Sequence, residues 1–131
     1  MKIYVIQGYG YDPTESKIET YAIVCMSRED AERQLDMIIE EQTMIARSET
    51  YCGIEYVETI RKRNGKVSHY KIEMIYNLRN QEHKEAFLWS TLVIGGNIKN
   101  DEFHPVMDDG DSPEYRIMTQ ASITIREQEI G

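Results

Sequence analysis

Residues 54–76 read IEYVETIRKRNGKVSHYKIEMIY, and the Asn64-Gly65 pair near their centre decides how the fold is interpreted. A two-residue type I′ turn needs a positive φ at both positions, and asparagine and glycine adopt this conformation most readily. The segments 54–63 and 66–76 are therefore predicted to be the antiparallel strands of a hairpin.

A two-residue turn also sets the register of the hairpin. It places Val57 opposite Ile72, Glu58 opposite Lys71 and Thr59 opposite Tyr70. Alternation then divides the side chains between the core and water. The side chains expected in the core are those of Val57, Thr59, Tyr70, Ile72 and Met74, and those expected in water are Glu58, His69 and Lys71.

The N-terminal third predicts a second strand pair followed by a long helix. Residues 2–7 are apolar on both faces, which is typical of an inner strand, and residues 17–26 return antiparallel to them. Ser27 is a suitable N-cap for a helix over residues 28–48. The predicted buried stripe of this helix is Ala31, Leu35, Ile38, Ile39, Ile45 and Ala46.

The C-terminal part allows more than one interpretation. The apolar segment 85–94 favours a buried strand because Thr91, Val93 and Ile94 are β-branched, although the composition of 82–93 also suits a helix. Residues 115–125 alternate as a final strand does, but Ser112-Pro113-Glu114 could begin a short helical turn over 113–120.

Together these segments predict one α+β domain over residues 1–131. We expect a mainly antiparallel sheet of five or six strands with one long amphipathic helix packed on one face. The other face of such a sheet would lack a cover, so a homodimer is a further expectation.

Three stretches carry a resemblance to known proteins: Lys2-Ile-Tyr-Val-Ile at the start, Ser27-Arg-Glu-Asp-Ala-Glu at the helix start, and the closing strand ITIREQEI at 123–130. They resemble a group of short uncharacterised α+β proteins from phages and bacteria, which open with two strands and a Ser-Arg-Glu-x-Ala helix. The resemblance covers about a third of the chain. It implies a small phage-encoded accessory protein that acts on a host factor, such as an inhibitor of a host defence complex, and it carries over no catalytic residues.

The net charge and the cysteines indicate the cellular compartment and the kinds of partner. The net charge of −8 disfavours general binding to nucleic acid or anionic membranes. Cys25 and Cys52 flank the predicted helix and would lie about 30 Å apart, too far for a disulfide. With no signal-peptide pattern or apolar span, the sequence predicts a cytoplasmic protein.

The leading candidate site is a basic hairpin tip on an acidic protein. Its residues are Arg61, Lys62, Arg63 and Lys66, and Tyr9 and Tyr11 in the first connection add aromatic contact area. These residues favour a non-enzymatic protein-binding function. The ordinary interpretation, which the composition of exposed hairpins favours, is that the charges keep the hairpin soluble and block edge pairing and that the tyrosines cover the sheet edge.

Two other functions remain open on the sequence. A small-ligand or nucleotide pocket would use His69, Tyr70 and Trp89, and an unrecognised hydrolase would need groups that assemble only in the fold. The sequence leaves open whether the protein is an enzyme but favours binding. It indicates no cofactor and no metal, because the histidines lack companions and Asp108, Asp109 and Asp111 lack EF-hand spacing.

Overall fold

A computed structural model describes the backbone of residues 1–48, 50, 53–90, 104–108 and 112–131, with side chains throughout except at 104–108 and 112–114. The protein is α+β. In chain order its elements are β1 (Lys2–Asp12), β2 (Lys17–Cys25), α1 (Arg28–Ser48), β3 (Glu55–Arg63), β4 (Lys66–Asn77), α2 (Gln81–Ser90), β5 (His104–Asp108) and β6 (Ser112–Glu129).

The strands form one antiparallel sheet in the order β2-β1-β6-β4-β3, and β5 also pairs with β6. The C-terminal strand therefore lies between the two hairpins and joins them through the pairs Ile6–Ile125 and Tyr70–Ile123. The prediction that β1 is an inner strand is confirmed. The strand interpretation of 113–120 is correct, because β6 begins at Ser112 and continues through this segment.

Helix α1 begins and ends at the predicted residues. The hydroxyl of Ser27 accepts a hydrogen bond from the backbone N–H of Asp30 at 3.1 Å, which is the expected N-cap. The helix contacts β1, β2, β4 and β6 on one face of the sheet. Its buried residues are Ala31, Leu35, Ile38, Gln42, Thr43 and Ala46, whereas Ile39 and Ile45 from the predicted stripe are half-buried.

Gln42 was not predicted to be buried, but its side chain is fully buried at the centre of this interface. Its amide accepts from the backbone N–H of Tyr11 at 3.2 Å and donates to the Tyr11 carbonyl at 3.0 Å. Gln120 donates to the same amide oxygen at 2.9 Å. A side chain on Gly10 would approach the Gln42 amide nitrogen to 2.5 Å, so this glycine makes room for the amide.

The predicted hairpin register is wrong beyond the turn. Asn64 and Gly65 have φ values of 53° and 77°, as a type I′ turn requires, but the register shifts between Arg61 and Lys62. Val57 therefore pairs with Glu73, Glu58 with Ile72, and Thr59 with Lys71.

This one-residue shift exchanges the two faces of β3. Tyr70, Ile72 and Met74 are buried beneath α1 as predicted, but Val57 lies on the opposite face and is 46% exposed. Thr59 also lies on that face, while Glu58 shares the helix side with Ile72. The bulge leaves one extra residue, Ser68, on β4, and turn chemistry alone gives no sign of it.

The prediction of a strand over 85–94 is also wrong in its described part, because residues 81–90 form α2. Asn80 caps this helix by accepting from the backbone N–H of Glu82 at 2.9 Å and of His83 at 3.3 Å. The β-branched residues that favoured a strand lie at 91–94, outside the described residues, as does Cys52. Cys25 is a buried free thiol at the end of β2.

No helix within the described ranges is both long and apolar enough to cross a membrane.

Candidate anion-binding groove

A groove of about 570 Å³ lies where the β3–β4 hairpin tip approaches the N-terminus of α1 and the C-terminal half of β6. Three separate elements build it, since the β4–β6 pairing carries the end of β6 alongside the tip. Its lining residues are Arg28, Arg63, Asn64, Lys66, Val67, Ser68, Ile125, Arg126 and Glu127.

Arg28 is the anchored cation of the groove. It is the first residue of α1, and its guanidinium donates to the Val67 carbonyl at 2.9 Å and to the Glu32 carboxylate at 3.1 Å. The same guanidinium lies 6.0 Å from the centre of the Tyr4 ring, within cation–π range. Its side chain is 15% exposed, so Arg28 holds the hairpin against the helix and presents a charge whose position is set by packing.

Positive charge predominates in the groove. Arg63, Lys66 and Arg126 have no salt-bridge partner within the part of the chain that the structure describes. Glu127 is the one acidic residue among the described lining residues, and its carboxylate lies 3.9 Å from the Lys2 ammonium outside the groove. Close cations without carboxylate partners attract an anion, and arginine can bind a carboxylate or phosphate through two parallel hydrogen bonds.

Only part of the predicted basic tip lines the groove. Arg63 and Lys66 pair directly beside the turn and line the groove. Arg61 and Lys62 are exposed but do not line it, and Arg61 pairs with His69 on the sheet face opposite α1.

Arg28 and Arg126 were not predicted to belong to this site. In the sequence, Arg28 is part of the helix-start pattern and Arg126 is part of the last strand. Neither residue is close to the tip in sequence, so only the strand order brings the four cations together.

The two tyrosines do not join the tip in one surface. Tyr9 is half-buried and pairs with Ser122 on β6. The groove residue Arg126 pairs with Val5, and Val5 lies four residues before Tyr9 on β1. That separation is roughly 13 Å at about 3.3 Å per residue. Tyr11 is only 8% exposed and packs edge-to-face on Trp89 at 6.2 Å, so the expectation of an exposed aromatic contact at Tyr11 is wrong.

The three residues of the alternative ligand pocket do not converge. His69 and Tyr70 are adjacent on β4, so their side chains lie on opposite faces of the sheet. Tyr70 is fully buried, and its hydroxyl lies 3.2 Å from that of Thr43. Trp89 lies on α2 beside a space of only about 20 Å³, on the order of one water molecule.

One nucleophile–base contact is present on the face opposite α1. The Ser122 hydroxyl lies 3.3 Å from Nε2 of His69. Burial, and then Arg61 and Lys71, lower the pKa of His69, so this imidazole is neutral near pH 7. A hydrolase also needs a group that orients the histidine and donors for an oxyanion. Within the described residues, no carboxylate forms a hydrogen bond with His69, and the two residues lie on the paired strands β4 and β6.

Comparisons with known proteins add no family to this geometry. No protein-family model matches the sequence. Searches of curated proteins and of solved structures likewise find no match.

Proposed function

We propose that this chain is a non-enzymatic binding protein that captures an acidic segment of a partner protein in the groove beside the hairpin tip. The observation that carries the proposal is the convergence of Arg28, Arg63, Lys66 and Arg126 on one groove of a chain whose net charge is −8. A cluster of cationic side chains on a protein of negative net charge is most simply explained by an anionic partner.

A short acidic protein segment suits this groove better than a nucleic acid. A nucleic acid presents many phosphates, and the negative charge of the whole protein repels such a polyanion over a distance set by the Debye length. An acidic segment brings only a few carboxylates to the local cations. Val67 and Ile125 also line the groove and offer apolar contact to neighbouring side chains of a peptide.

The biological setting of the proposal comes from the resemblance to short phage and bacterial proteins. On that basis the partner is a host factor in the cytoplasm, and the protein acts as an inhibitor of a host defence complex. The groove supports the binding step of this proposal, and the resemblance supplies the setting.

A homodimer remains part of the proposal. It would form through the sheet face opposite α1, where the exposed side chains include Val24 and Val57 on the two outer strands of the main sheet path. Arg126 pairs with Val5, as Val24 does, so the side of the groove that Arg126 forms borders this dimer face.

The test is a charge reversal within the groove, Arg63→Glu with Lys66→Glu. The matched control is Arg61→Glu with Lys62→Glu, which makes the same change in net charge at the same tip but outside the groove. Binding of a fluorescein-labelled deca-glutamate peptide is followed by anisotropy at low salt, and capture of natural partners by native mass spectrometry of protein purified from its own cells.

We expect the groove variant to bind the acidic peptide at least about tenfold more weakly than the control variant, since several charge-assisted contacts are reversed. Equal weakening by both variants would show that only overall charge matters and would contradict a specific groove. A co-purifying partner that both variants retain would also refute the proposal.

A further inference from the structure

The edge of the sheet opposite the groove is formed by β2. Among the described residues, this nine-residue strand pairs only with β1, and all nine residues from Lys17 to Cys25 take part in that pairing. In an antiparallel pair, alternate residues direct their N–H and C=O groups away from the partner strand. The outer side of β2 therefore offers a row of hydrogen-bonding groups to a further strand.

A second groove of about 470 Å³ runs between this edge and α1. Two methionines on the helix, Met37 and Met44, line it and are 61% and 63% exposed. Tyr21 and Ile23 of β2 form the sheet side. Methionine side chains are flexible and adapt to different neighbours, so they suit a surface that packs against a partner.

The rim of this second groove is acidic. Glu40 and Glu41 line it from α1, and Glu19 on β2 accepts a hydrogen bond from the hydroxyl of Tyr21 at 3.4 Å. Burial, followed by the charges of Glu19 and Asp12, raises the pKa of the Glu41 carboxyl. None of these three carboxylates has a salt bridge within the described part of the chain, so their charges are available to a cationic partner.

We propose that the β2 edge takes up an extended basic segment of a partner protein as an additional antiparallel or parallel strand. Lysine or arginine side chains on the groove side of that segment would lay their methylene stems on Met37 and Met44 and place their charges at Glu40 and Glu41. The hydrogen bonds of the backbone pairing supply affinity. The separation of the methionine side chains from the acidic rim selects long basic side chains.

A second copy of this chain is a poor occupant of the same edge. A two-fold axis at β2 would bring two copies of the acidic rim together, and each chain also carries a net charge of −8. Like charges placed opposite one another oppose such an interface. The charge of the groove therefore distinguishes a basic partner from self-association.

The test uses a synthetic nonapeptide of alternating lysine and valine, with a glutamate–valine peptide of the same length as its reference. The variant is Glu40→Lys with Glu41→Lys. Its matched control is Glu29→Lys with Asp36→Lys, which makes the same charge change at exposed positions of α1 outside the second groove. Affinity is measured by anisotropy, and backbone contact by hydrogen exchange of the β2 amides.

We expect the lysine–valine peptide to bind the protein and to protect alternate amides of β2 from exchange. The Glu40/Glu41 variant should bind at least about tenfold more weakly than the Glu29/Asp36 control, while Arg63→Glu with Lys66→Glu should bind normally. Binding without protection in β2 would overturn the strand addition. Equal losses in variant and control, or a peptide-free dimer that already protects β2, would overturn the proposal as well.

Discussion

Replacing Gln42 by leucine tests whether the buried amide, rather than apolar packing, secures α1 to the sheet. The pairing of β1 with β6 ends at Tyr9–Ser122, so at Tyr11 the Gln42 amide takes the place of a neighbouring strand. Leucine has a similar size but can neither donate nor accept. The substitution therefore removes both hydrogen bonds from the Tyr11 backbone.

The magnitude follows from the groups that lose a partner. A hydrogen bond within a protein contributes about 0.5–1.5 kcal/mol net, and two such bonds to the Tyr11 backbone are lost. Gln120 keeps its hydrogen bond to the Gln42 backbone carbonyl at 2.8 Å, so it is not left without a partner. Because the added apolar surface offsets part of the loss, we expect Gln42→Leu to lower the free energy of unfolding by about 2 kcal/mol.

Urea denaturation followed by circular dichroism measures this change. The matched control is Gln34→Leu, which makes the same replacement on α1 at a half-buried position whose side chain forms no hydrogen bond within the described residues. We expect the control to change stability by at most about 0.5 kcal/mol. A loss of less than about 1 kcal/mol for Gln42→Leu, equal to that of the control, would refute the assigned role of the amide.

Two further predictions concern the titrating groups. Folding raises the pKa of the Glu41 carboxyl. The native state therefore loses stability as the pH rises and this carboxyl ionises. Glu41→Gln should therefore raise the free energy of unfolding at pH 7 by less than about 1 kcal/mol, and this gain should disappear near pH 3.5. A gain in stability that grows in acid would contradict a raised pKa for Glu41. If the Ser122–His69 contact is structural, a fluorophosphonate probe should leave the intact mass unchanged, whereas an adduct that Ser122→Ala abolishes would show a reactive serine and oppose the non-enzymatic proposal.

Local signals account for the elements that could be predicted. The Ser27 cap and the apolar stripe give the bounds of α1, and Asn64-Gly65 gives the hairpin turn, because each depends on residues within a few positions of one another. Residues 2–7 indicate an inner strand for the same reason. The wrong strand prediction for 85–94 depended on the β-branched residues Thr91, Val93 and Ile94, whereas the described residues up to Ser90 form α2 behind an Asn80 cap.

The candidate site could be predicted only in part. Arg63 and Lys66 follow from their position beside the turn, whereas Arg28 and Arg126 enter the groove because β6 pairs with both β1 and β4. Arg61 and Lys62 do not line the groove, and the bulge between them turned Val57 away from the core.

The sequence by itself determined an acidic α+β chain with a long helix, two antiparallel strand pairs and a basic turn, because caps, turns and periodicity act over short stretches of chain. Only the tertiary structure decided the central place of β6, the burial of Gln42 against Tyr11, and the assembly of four cations in one groove. These features depend on contacts between residues far apart in sequence. Such contacts form when the strands pair. The order in which the strands pair depends on the packing of the whole core rather than on any single segment.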